Sequence, residues 1–165
     1  MATTTEHIEL KGQRRKLLFA VCVICYAFGG YFSTLMPVYL PVVVKELLND
    51  TSIDNLSEVS AYIGSMFLLG WTFGGILFGI LGDHIGRVKA FVMAVMLYSV
   101  LNIMIGFSES WMMIILLRFI SGIGVGGTLV LATILISEIW PTKSRAIALG
   151  VLAVTFPIGI ISAGI

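Results

Sequence analysis

Gly79-Ile-Leu-Gly-Asp-His-Ile-Gly-Arg-Val-Lys89 is a short, charged, glycine-rich segment between two long apolar runs, residues 59–81 and 90–107. Each run is long enough, or nearly so, to cross a bilayer, because a hydrocarbon core of about 30 Å takes about 20 apolar residues in a helix. The segment is therefore read as the loop where two membrane helices meet at one face. Asp83, His84, Arg87 and Lys89 gather there, and a carboxylate in such a place must pair with or cap something. Two of its glycines let the backbone turn without steric cost.

The rest of the chain repeats the pattern. Of 165 residues, 58% are apolar and 12% charged, and the mean hydropathy is +1.04. A water-soluble domain of this size needs far more polar surface. The chain is read as an all-α membrane protein whose first partner is the lipid bilayer. A net charge of +1 gives no reason to expect nucleic acid as a partner. Cys22 and Cys25 form a C-x-x-C inside an apolar run, where hydrocarbon disfavours the thiolate that redox or metal chemistry needs. They read as small apolar packers on one helix face.

Five stretches qualify as spans: 17–44, 59–81, 90–107, 111–139 and 146–165, after a tail over 1–16. The first is too long for a secretion-signal core and no small-residue cleavage site follows, so it is a retained helix. Pro37 and Pro41 fall in its outer part, where kinks are expected. Lys11, Arg14, Arg15, Lys16, Arg87, Lys89, Lys143 and Arg145 lie on one side of these spans. The other side has Lys45 beside Glu46, Asp50, Asp54, Glu58 and Glu109. Basic residues are retained in the cytoplasm, so the amino terminus is expected inside the cell (plasma or inner) membrane. The external loop, 45–58, carries Asn49-Asp-Thr51 and Asn55-Leu-Ser57, which fit the glycosylation acceptor pattern, a triplet that also arises by chance in polar loops.

Three glycine pairs recur at i, i+4: Gly70 with Gly74, Gly75 with Gly79, and Gly122 with Gly126. Each clears one helix face for a close backbone approach, which serves static packing, dimerisation or sliding equally well. Arg118 lies within a span, about 10 Å from Trp111 at the outer interface. It either snorkels outward or stays buried at a cost of about 2.5–3.5 kcal/mol.

The 79–89 segment resembles the loop between the second and third helices of the major facilitator superfamily, written G-x-L-a-D-r-x-G-R-k. Gly79, Leu81, Asp83, Gly86 and Arg87 match; His84 and Val88 depart, and a base arrives one place late as Lys89. A second stretch is similar to the second signature of the sugar-porter branch. It runs from Ile120 through Gly122, Gly124, Gly126 and Gly127 to Leu135, Glu138 and Arg145, and the match is complete. The first sugar-porter signature fits less well at Gly82 and Val88.

The resemblance implies a partial amino-terminal helical bundle of the major facilitator fold and secondary transport of a small polar solute, a sugar or an organic acid, by alternating access. The missing carboxy-terminal half is then expected from a longer chain or from a partner chain. Gly79, Asp83, Gly86, Arg87, Glu138 and Arg145 would form a charge network that locks one conformation; the plainer reading is surface ion pairs worth about 0–1 kcal/mol. Arg118 would stand near the transport path, serving substrate or a coupling proton. Tyr26, Gly30, Ser33 and Thr34 of the first helix would line the same path, although their hydroxyls serve backbone carbonyls equally well. The first, second, third and fifth spans hold no Asp or Glu, unlike the first helix of related proton symporters, which counts against proton coupling. Pro157 and Gly159 do not make the Gly-Pro pattern of drug antiporters. The competing class is a non-transporting membrane assembly protein packing through its glycine faces. No enzyme is expected: there is no nucleophile with a base at useful spacing, no phosphate loop, no cofactor motif and no cluster of metal ligands. His84 stands in for the usual arginine.

Overall fold

The computed structural model describes the backbone of residues 2–48, 53–108 and 110–164, and within these the side chains of 12–35, 37–39, 57–108 and 110–164. Asn49–Thr51, Asp50 and Glu109 lie outside the described residues, as do the side chains of Lys11, Lys45, Glu46, Asp54 and Asn55. Five helices follow in order: α1 (Ala2–Leu48), α2 (Ile53–Ile85), α3 (Arg87–Ile105), α4 (Trp111–Ile139) and α5 (Arg145–Ala163). Helix is the form that satisfies backbone polar groups within one segment, which hydrocarbon demands. All five are long and apolar enough to cross a membrane.

The boundaries have local causes. The turn at 79–89 uses one glycine, not two: α2 runs through Gly82 to Ile85, and Gly86 alone breaks the helix at φ 97°. That φ belongs to glycine. Gly82 stays helical and is buried against the Leu131 side chain, which an added Cβ would meet. α4 stops before Trp140, which is extended at φ −90° and ψ 139° because Pro141 follows it. Most of the expected external loop over 45–58 is helical, since α1 continues to Leu48 and α2 begins at Ile53. α1 is also helical from residue 2 through the expected tail and runs on through Pro37 and Pro41.

α4 is the centre of the bundle and touches every other helix. Its pairing with α2 is the most extensive, and glycine sets it. Gly70 and Gly74 lie against the backbone of Phe119 and Ile123, while Gly122 and Gly126 lie against that of Phe67 and Trp71. A Cβ at any of the four would come within 3.0 Å of the facing main chain. α1 and α5 cross in the same way, with Gly30 on the Phe156 carbonyl and Gly159 on the Ala27 carbonyl. On α3, Ala94 and Tyr98 receive Gly124, whose added Cβ would lie 2.8 Å from the Tyr98 Cβ. The Gly75–Gly79 pair differs: it faces chiefly the Val130 side chain, with the Gly126 carbonyl 4.0 Å from a Cβ added at Gly75.

A core of Cys22, Phe78, Ala90, Phe91, Ala94, Leu131, Leu135 and Leu152 fills the middle. Cys22 and Cys25 are both free thiols; Cys22 is buried in that core. The opposite helix faces stay apolar and exposed, as Leu69, Phe73, Ile76 and Ile80 on α2 and Val92, Met96, Val100 and Ile103 on α3 show. Stripes at helical spacing facing outward suit hydrocarbon as solvent.

Candidate functional site

Arg118 is carried by α4 seven residues in from Trp111, and it is 2% exposed. It does not snorkel. Its Nη1 donates to the Phe32 carbonyl oxygen of α1 at 3.3 Å, and the guanidinium carbon stands 5.2 Å from the centre of the Phe67 ring of α2. Its Nε is buried with no hydrogen-bond partner. The side chain borders a cavity of about 260 Å³ between α1, α2, α4 and α5. Phe67, Trp71 and Phe156 supply aromatic walls, with Trp71 5.5 Å from Phe156 and 6.0 Å from Phe67 between ring centres. Ser33 supplies a further polar group, and its hydroxyl donates to the Gly29 carbonyl at 2.6 Å. The cavity lies toward the end of the bundle where α1 finishes and α4 begins.

The other predicted first-helix residues stand elsewhere. Gly30 is buried against the backbone of α5 and does not border the cavity. Tyr26 packs edge-on to Phe156 at 6.0 Å, and neither Tyr26 nor Thr34 borders the cavity. A small shift in helix rotation moves a face at i, i+4 spacing from cavity to neighbour, which the spacing alone does not reveal. The aromatic walls Phe67, Trp71 and Phe156 were not expected from the sequence. One signal was available: tryptophan favours the membrane interfaces, and Trp71 sits in mid-span, so something other than lipid occupies its surroundings.

At the opposite end, Arg87 opens α3 and binds two carboxylates. It pairs with Asp83 across Gly86, and its Nε lies 3.3 Å from Glu138 Oε1 at the end of α4. The three side chains tie α2, α3 and α4 together while remaining partly exposed to solvent. Arg145 does not join them. Among the described residues it makes no ion pair, and its Nε is buried without a partner. The extended step at Trp140 and Pro141 takes the chain out of α4 before α5 begins at Arg145. Gly79 touches only Val130, at 4.0 Å from an added Cβ, and contributes space rather than a contact. Nearby, Arg15 of α1 lies 5.2 Å over Trp140, whose ring also packs on Phe19.

The profile of the family described as Sugar (and other) transporter matches residues 26–165. The chain belongs to that family. As a sugar (and other) transporter family member it belongs to the major facilitator superfamily. The benzoate transport protein of Acinetobacter baylyi is 32% identical over 124 residues, 72% of this chain and 25% of that protein. Myo-inositol transporter 3 of Cryptococcus neoformans is 32% identical over 143 residues, 87% of this chain and 24% of that one. The chain spans about a quarter of the length of the curated relatives it matches. The fold of this family member also matches the crystal structure of a bacterial homolog to the human lysosomal transporter Spinster, inward-facing and unoccupied. The TM-score is 0.80 at 21% identity, over 90% of this chain and 30% of that one.

Proposed function

We propose that this chain forms the amino-terminal wall of a secondary active transporter that carries a small polar solute, a sugar or an organic acid, across the cell membrane by alternating access. The observation that carries this reading is Arg118: a guanidinium buried within a membrane span, incompletely bonded, on the wall of a cavity. An ionisable side chain is held in such a place at a cost, and solute pathways are where that cost is met. Solute would bind between this wall and a second half belonging to a longer protein or to a partner chain, a division that the greater length of the relatives supports.

The distribution of basic residues favours a cytoplasmic amino terminus. On that orientation Asp83, Arg87 and Glu138 form a cytoplasmic latch between α2, α3 and α4, closed in one conformation and parted in another. A proton-coupled cycle would draw its carboxylate from outside this chain, because no Asp or Glu of the described residues pairs with Arg118. Assembly through glycine faces is the weaker reading, since the closest glycine contacts are taken up within the chain by the α1–α5, α2–α4 and α3–α4 crossings.

The test is counterflow. The full-length protein, reconstituted in vesicles loaded with unlabelled solute, should accumulate the labelled form of at least one sugar or organic acid with saturable kinetics. Absence of saturable flux across a panel of both classes, from protein shown to be folded and inserted, would sink the reading.

A further inference from the structure

We propose that the cavity between the start of the α1 span and the end of α4 holds the phosphate of an anionic phospholipid, whose acyl chains lie along the outer face of α1. Such a site stands whether or not the cavity beside Arg118 carries solute.

The head of the site is basic and lacks acceptors. Arg14 and Arg15 border a cavity of about 330 Å³ with Leu18 of α1 and Ile139 of α4. Arg14 is exposed and Arg15 half-buried, so both side chains can be reached from outside. Arg15 is positioned over the Trp140 ring, with 5.2 Å from its guanidinium carbon to the ring centre. Trp140 is itself fixed: it packs on Phe19 at 4.8 Å and donates its Nε1–H to the Ser144 hydroxyl at 3.1 Å. Among the described residues neither arginine has an ion pair, since Asp83 and Glu138, the described carboxylates at this end, both bind Arg87. A planar guanidinium fork matches phosphate oxygens with parallel N–H···O bonds. A cavity of this size equals roughly ten waters of about 30 Å³ each, which leaves room for a phosphate and its ester linkages.

The chain below the arginines suits the tails. The apolar span of α1 begins at Gly12, so Arg14 and Arg15 stand at its very edge. Arg14, Leu17, Val21, Ile24 and Phe28 recur at helical spacing and share one face. The four apolar members are all exposed, and they run from the arginines into the span. Trp140 marks the headgroup level, where an apolar ring with one N–H is at home. A basic pocket at that depth with an apolar stripe beneath it fits a whole phospholipid, whereas free phosphate would leave the stripe unused. A zwitterionic headgroup would bring a cation to a place already rich in bases, so a net negative one is favoured. On the orientation proposed above this is the cytoplasmic leaflet, whose anionic lipids attract basic segments beside a span.

Full-length protein in detergent is offered an equimolar mixture of phosphatidylglycerol and phosphatidylcholine, and the retained lipid is counted by native mass spectrometry. Phosphatidylglycerol should be favoured at least about tenfold, the scale of one charge-assisted pair. Arg14→Gln/Arg15→Gln should lose most of that preference. Lys89→Gln/Lys143→Gln removes the same charge from exposed positions that do not border the cavity, and should keep it. Arg14→Gln alone, a change at an exposed residue, should lower the preference by about fivefold and serves if the double variant misassembles. Inorganic phosphate in large excess should not displace the bound lipid. Equal retention of the two lipids by the unaltered protein would overturn the proposal, as would an unchanged preference in Arg14→Gln. Equal losses in the two double variants would replace a built site with diffuse surface charge. Displacement by inorganic phosphate would make the ligand a free phosphate and remove the role given to the α1 stripe.

Discussion

Arg118 has exchanged water for one carbonyl and one ring, and insertion of an arginine costs up to about 2.5–3.5 kcal/mol, the figure at the centre of a span. Lysine at that place keeps the charge but replaces a planar fork with a point donor. Arg118→Lys should therefore insert and fold while losing transport by about tenfold or more, the scale of one charged hydrogen bond of about 1.5–3 kcal/mol. Initial-rate uptake read beside the folded yield in detergent separates the two effects, and wild-type rates would leave Arg118 a packing residue. Asp83 behaves differently because it is mostly exposed, at 61% of its side-chain surface. Asp83→Asn should change stability by less than about 1 kcal/mol. It should slow transport yet leave equilibrium solute binding largely intact. Loss of binding in correctly assembled protein would contradict a latch.

The helices are held by glycine used in two distinct ways. At Gly86 the demand is conformational: φ is 97° and an added Cβ meets nothing within 4 Å. Gly86→Ala should cost about 1–3 kcal/mol from backbone strain alone. At Gly70 the demand is steric, since a Cβ would press on the Phe119 main chain within 3.0 Å. Gly70→Ala should cost about 1–3 kcal/mol as α2 and α4 are pushed apart. Gly64→Ala is the control, on the same helix but facing open space, and should be neutral or stabilising by up to about 1 kcal/mol. Thermal unfolding midpoints in one detergent rank the three. Gly70→Ala as stable as Gly64→Ala would remove the close crossing from the account.

As a whole the molecule is a bundle wrapped on α4, with an aromatic cavity toward one end and ion pairs at the other. Its two ends should face opposite compartments. In intact cells, a membrane-impermeant thiol reagent should label Ser110→Cys and spare Lys143→Cys until the membrane is opened, both positions being exposed in the fold. The native thiols give little background, because Cys22 is buried and Cys25 half-buried within α1. Labelling of Lys143→Cys from outside would invert the proposed orientation.

The membrane class and the charged junction at 79–89 were legible residue by residue. Hydrophobic length accumulates along the chain, and a helix satisfies its own backbone whatever its neighbours do. The Asp83–Arg87 pair was legible for the same reason, as a contact between near neighbours at i, i+4. Glu138 reaching Arg87, Arg145 standing apart, Gly30 turned to α5 and Arg118 facing Phe67, Trp71 and Phe156 across a cavity were not. Each depends on how two helix axes are rotated and tilted about one another. Periodicity names the residues that share a face, but only the packing of all five helices says what that face meets.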